Sequence, residues 1–184
     1  MISWDEFHDL SKLIGQESNS EFISQIGKKL NLDQVIDYYL FVQLAYARDN
    51  AGKNWFFLKN RISDKFEILL WDVDASWGRE ENGYPVSSNL MVQNNLFERL
   101  LTLNPDNFRI RLKQRWSDFR RNQLSGSTLN SLIATHLNEL ENLQVISEDN
   151  AIWGQNTNLE TEKSYLNTWL TDRIDYLDNY FSNL

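Results

Sequence analysis

The sequence predicts a mainly α-helical domain that carries one small β-hairpin. Apolar residues recur at three- and four-residue spacing through most of the chain, which is the helical period. Two apolar, aromatic-rich runs joined by a short polar segment interrupt that pattern and read as paired strands. With 7 Gly and 2 Pro among 184 residues, few positions break the elements. The chain is 41% hydrophobic and holds seven Trp, seven Tyr and ten Phe. At this length it can bury roughly 70% of its unfolded surface, enough for a single domain spanning 1–184.

Residues 4–14 and 21–30 each carry one apolar face, with Ser3 and Ser20 placed as N-caps. Residues 32–47 form the strongest helix. Val35, Ile36, Tyr39, Leu40, Val42, Leu44 and Tyr46 make it apolar on most sides, so it is expected at the centre. It delivers Asp49 at its C-terminal end, where the helix dipole disfavours a carboxylate by about 0.3 to 1 kcal/mol. A cation must therefore stand nearby, and Arg48, Lys53 or a metal could supply it. The runs 54–60 and 66–71 make the hairpin and bring Asn54 close to Asp72. Residues 79–90 hold Glu80, Glu81, Asn82, Gly83 and Pro85 and read as a loop. Helices follow over 93–103, 105–123, 128–143 and 159–181. Pro105 opens one of them behind Asn104, and Ser125-Gly126-Ser127 separates two others.

The chemistry concentrates in Arg48-Asp49-Asn50-Ala51-Gly52-Lys53-Asn54 and in Trp71-Asp72-Val73-Asp74-Ala75-Ser76-Trp77-Gly78. An aspartate, an asparagine five positions later and a carboxylate at the end of an apolar strand is the order in which protein kinases place a catalytic base and two metal ligands. Phosphoryl transfer needs hard cations to neutralise the moving charge, and magnesium takes oxygen ligands from carboxylates and amides. Asp49 would accept the proton of the attacking hydroxyl, while Asn54 and Asp72 would hold the metal. Crowded acids are expected to raise the pKa of at least one of them when no metal is bound. Each residue also has a plainer reading. Asp49 can be a solvated helix end followed by an ordinary Asn50–Gly52 turn, and Asp72 and Asp74 can be the exposed face of a strand.

The set resembles the spore coat protein H (CotH) kinases, a family of atypical protein kinases. The shared pattern is a helix ending in an aspartate, an asparagine five residues on, a short hairpin, then Trp-Asp-x-Asp with a Gly following. The likeness continues through Phe97-Glu98-Arg99-Leu100-Leu101, Asn104-Pro105-Asp106-Asn107-Phe108, Arg115-Trp116-Ser117-Asp118-Phe119-Arg120 and Trp169-Leu170-Thr171-Asp172-Arg173-Ile174, from about Asp33 onward. The resemblance implies a kinase C-lobe-like fold with Asp49 as catalytic aspartate. Asp72 takes the metal-binding role, Asn54 matches the asparagine between them and Asp74 the second acid, a further metal ligand. It implies ATP and magnesium or manganese as cofactors, and Ser/Thr of coat proteins as acceptors, in a spore coat or extracellular setting. Nothing before Asp49 reads as a nucleotide-binding lobe, having neither a Gly-rich strand pair nor a strand lysine paired to a helix glutamate. The expectation is the C-terminal half of a longer kinase. Loop 79–90 would stand where an activation segment lies.

Zero cysteines rule out disulfides and a thiolate zinc site. The net charge of −8 argues against nucleic acid and anionic membrane as partners and would attract a basic protein substrate. No apolar run is long enough to span a membrane. His8 and His136 read as surface or core residues, and no Ser-His-Asp arrangement is legible. The cluster Arg109, Arg111, Lys113, Arg115, Arg120 and Arg121 reads as a solvated helix face, or as a dock for a phosphate or acidic partner. Two other functions stay open: a non-catalytic coat or surface scaffold, and a metal-dependent hydrolase using the same acids.

Overall fold

The computed structural model describes residues 4–184, apart from the side chain of Ser127. Among them it contains eight α-helices and one two-stranded antiparallel hairpin. The helices are α1 (Trp4–Gly15), α2 (Asn19–Lys29), α3 (Leu32–Ala45), α4 (Asn95–Leu103), α5 (Phe108–Arg121), α6 (Gly126–Asn142), α7 (Val145–Trp153) and α8 (Leu159–Ser182). The strands are β1 (Trp55–Asn60) and β2 (Lys65–Leu70), with Trp55 opposite Leu70 and Asn60 opposite Lys65.

Helix α3 is the axis of the molecule. It is buried on nearly every side, from Leu32 and Val35 through Tyr39 and Val42 to Ala45, as its all-round apolar sequence requires. Against it pack Phe97 of α4, Phe108, Leu112 and Trp116 of α5, Leu177 and Phe181 of α8, and Phe66 and Ile68 of β2. The Tyr39 ring meets Phe97 edge-on with centroids 4.9 Å apart, a favoured aromatic geometry. The basic positions of α5 tie the helices together and do not face solvent alone. Arg111 pairs with Asp33, Arg115 with Asp37 at 2.6 Å and Arg120 with Asp178 at 3.0 Å.

Two glutamines on α3, Gln34 half-buried and Gln43 fully buried, fasten the chain segments that border the site. The Gln34 side chain accepts from Ile68 N–H at 2.8 Å and donates to Ile68 C=O, continuing the β2 ladder with a side chain. Nine residues on, Gln43 does the same to Val92, at 2.9 Å and 2.7 Å. A primary amide carries one donor and one acceptor group in the arrangement of a peptide, so it can satisfy an orphaned backbone pair.

Several boundaries differ from the sequence expectations. Ser3 lies outside the described residues. The cap of α2 is Ser18, whose hydroxyl accepts from Glu21 N–H at 3.2 Å, and Ser20 already lies inside the helix. Helix α3 stops at Ala45 because Tyr46 turns left-handed, letting Ala47 N–H reach Val42 C=O at 3.0 Å. Asp49 therefore sits in a separate 3-10 turn, Arg48–Ala51. Pro105–Asn107 is also a 3-10 turn, and α5 begins only at Phe108, with the Asn104 side chain accepting Arg109 N–H at 2.9 Å. Helix α7 was not expected; none of its residues is buried, so its apolar positions left no periodic face to read.

Candidate functional site

The turn after α3 and the open end of the hairpin form the site. The Asp49 carbonyl accepts the N–H groups of Gly52, Lys53 and Asn54 at 3.1, 2.8 and 3.0 Å, curling the chain so that Asn54 enters β1 beside the turn. The Asn54 side chain then donates to the Asp72 carbonyl at 2.9 Å, which joins the start of β1 to the residue beyond β2. Sequence spacing placed these two ends together, and they are together.

Asp72 is not a strand residue. It is exposed and left-handed at φ 52°, so the chain turns away from the sheet after Trp71. Its carboxylate makes no hydrogen bond or ion pair with the described residues. Asp74 is exposed as well, and its carbonyl accepts Ser76 N–H at 2.9 Å. The four predicted residues do not form one carboxylate cluster. Among the described residues no group of three or more His, Cys, Asp or Glu side chains is placed to hold a metal by itself.

Asp49 is neutralised by a neighbour of its own turn. Lys53 Nζ stands 2.9 Å from the Asp49 carboxylate and 3.5 Å from Glu81. The Lys53 hydrogen bond holds the Asp49 pKa below the usual carboxylate value, with further lowering by the charges of Lys53 and Arg48. This is opposite to the rise that crowding with other acids would cause, because Lys53 supplies the cation that the end of α3 requires.

Loop 79–90 is held down on both sides. Arg48 pairs with Glu80 at 3.3 Å, and Arg79 Nη2 donates to both carboxylate oxygens of Glu162 of α8 at 2.7 and 3.0 Å while its guanidinium lies 3.9 Å from the Tyr165 ring centre. Trp169 donates to Val86 C=O at 2.8 Å, and Arg173 donates to Ser88 C=O at 2.8 Å and to the carbonyls of Leu90 and Gln43. Glu162, Tyr165, Trp169 and Arg173 recur at helical spacing, so one face of α8 carries the whole segment. Arg173 is fully buried, with no carboxylate partner among the described residues; burial pushes its pKa down to about 10, still cationic at neutral pH.

One site residue was missed in the sequence. Asn50, read above as part of an ordinary turn, is 1% exposed and donates to Trp71 C=O at 2.7 Å and to Asn54 C=O at 3.3 Å. Its own carbonyl accepts the Tyr38 hydroxyl at 2.6 Å. The available signal was a polar residue directly behind an apolar helix, where a buried amide has backbone groups to satisfy.

The family model for CotH kinase protein matches residues 2–177. The chain belongs to the CotH kinase family. The match reaches through α1 and α2, further toward the N-terminus than the motifs near Asp33 suggested. Over 81 residues the chain is 25% identical to the inner spore coat protein H of Bacillus subtilis (strain 168). That alignment takes in 43% of this chain and 22% of the relative's length. In this CotH family chain, no helix among the described residues is long and apolar enough to cross a membrane.

Proposed function

We propose that this chain is the catalytic and metal-binding part of an atypical protein kinase that moves the γ-phosphoryl group of ATP to Ser or Thr hydroxyls of coat proteins. The observation that carries the reading is the hydrogen bond from Asn54 to Asp72, which couples the two residues expected to face the metal across 18 positions of sequence.

The donor set fits magnesium or manganese. Asn54 spends its N–H on the Asp72 backbone, which leaves its carbonyl oxygen as an acceptor, and Asp72 offers an exposed carboxylate. Magnesium characteristically takes one or two protein carboxylates and completes its shell with nucleotide phosphates and water, so a cage of three acids is not required. Asp74, two residues on, is a second carboxylate within the same turn. When bound, the ion neutralises the charge of the phosphates.

Asp49 is the base in this reading. It takes the acceptor hydroxyl's proton as that oxygen bonds to the γ-phosphorus, the bond to the bridging oxygen breaks and ADP leaves. The Lys53 pairing keeps Asp49 ionised and fixes its side chain. Acidic Glu80, Glu81, Asp72 and Asp74 around the turn, with the net charge of −8, suit a Lys- or Arg-rich acceptor. The setting proposed is the spore coat or another extracellular surface, by likeness to the relative named above. We read residues 1–184 as the C-terminal half of the kinase unit, whose nucleotide-covering lobe would be supplied by further sequence.

The test is transfer of labelled phosphate from ATP to a basic Ser-containing peptide with manganese, using the complete kinase. Asp49→Ala and Asp72→Ala should each lower the rate at least a hundredfold. Unchanged rates in both would overturn the assignment and favour the scaffold reading, in which coat assembly is indifferent to either substitution.

A further inference from the structure

We infer that Asn50 is a positioning residue for this site: its buried amide sets the separation of Asn54 and Asp72. The inference rests on the metal-binding reading given above, but its geometry stands independently. A primary amide has two N–H donors, and both are committed here, one to Trp71 C=O and one to Asn54 C=O. These carbonyls belong to the residue preceding Asp72 and to Asn54 itself. The Asn54 side chain closes the ring by donating to Asp72 C=O. Asn50 thus stands at the open end of the hairpin, where β1 and β2 have no further ladder bonds to hold them at a fixed spacing.

The backbone that carries the amide is itself fixed. Tyr38, buried on α3, donates to the Asn50 main-chain carbonyl at 2.6 Å, and the 3-10 turn that contains Asn50 also contains Asp49. A single side chain therefore links the turn bearing the base to Asn54 and to Trp71, the residue preceding Asp72. Aspartate at this position would be isosteric yet acceptor-only when ionised, and would turn two attractive contacts into repulsions. Once protonated it regains one O–H donor.

The experiment follows hydrogen exchange of the Asn54 side-chain amide by NMR in Asn50→Asp and Asn50→Ala, alongside manganese titration. In the unsubstituted chain that amide should be protected by its bond to Asp72. In Asn50→Asp at neutral pH its exchange should be at least tenfold faster than in the unsubstituted chain at the same pH, and that ratio should shrink toward one as pH falls and the introduced carboxyl gains its proton. Amides of α5 and α8 should keep their protection. Manganese affinity of Asn50→Ala should fall about 10- to 100-fold, the usual range for removing a group that orients a ligand. Where Asn50→Asp unfolds at neutral pH, Tyr38→Phe carries the test, with a smaller rise in Asn54 exchange and none at α5. Unchanged Asn54 exchange in the folded variants would overturn the inference. Faster Asn54 exchange with no manganese binding by the unsubstituted chain would overturn the metal reading and leave the positioning role standing.

Discussion

Asp49 and Lys53 show how a single turn supplies both a carboxylate and the charge that keeps it ionised. Because the folded pKa of Asp49 is lowered, their pairing contributes to stability above the ordinary carboxylate pKa of about 4 and is lost as pH falls through the folded value. Lys53→Met should raise the Asp49 pKa, read by carbon NMR of the side-chain carboxyl. An unmoved titration curve would mean that another group holds the proton off. At Asp72 the proposed metal-binding role and stability can be separated. A non-glycine residue at φ 52° bears roughly 1 kcal/mol of backbone strain, which glycine does not. Asp72→Gly should therefore keep or raise the thermal midpoint while removing manganese binding. A clear drop in the midpoint would show that the carboxylate has a structural partner.

Among the elements, α8 and loop 79–90 act as one body. Gly78, at φ +87°, lies so close to Trp169 that an added Cβ would sit 2.7 to 2.8 Å from the ring carbons. Gly78→Ala combines that overlap with an unfavourable backbone angle and should cost about 3 kcal/mol, measured by urea unfolding. Arg173→Met removes the side-chain donor to the carbonyls of Ser88 and Leu90, and one of two donors to the Gln43 carbonyl, which keeps Tyr46 N–H at 3.2 Å. At about 1 kcal/mol for each partly buried carbonyl that loses its donor, the variant should lose about 2 kcal/mol. Its backbone exchange should quicken first between residues 86 and 92. Uniform acceleration across the chain would show that α8 supports the whole core and not the loop in particular. The element pattern was legible where burial is one-sided or complete, as in α3 and the hairpin. It was not legible where a backbone reversal ends an element, since Tyr46 and Asp72 are left-handed without being glycine. Helix α7 escaped because a helix without buried residues imposes no period on its sequence.

At the scale of the whole molecule, the site is an edge built on a large core. Asp49, Asn54 and Asp72 come from three different backbone environments: a 3-10 turn, the approach to β1 and the exit from β2. Their order in the sequence gave away the hairpin that joins them. It did not reveal Asn50, Gln34, Gln43 or Arg173, whose roles are to satisfy backbone groups that only the folded chain brings near. The core does not depend on those acids, so metal binding should change the thermal midpoint only by ligand linkage. The most direct test of the kinase reading is manganese with ATP titrated into the isotopically labelled chain, observed as paramagnetic broadening. The account predicts selective loss of the Asn54 and Asp72 amide signals at substoichiometric manganese, and no such loss in Asp72→Ala. Signals that stay sharp at saturating manganese and ATP, or broaden equally in the variant, would contradict it.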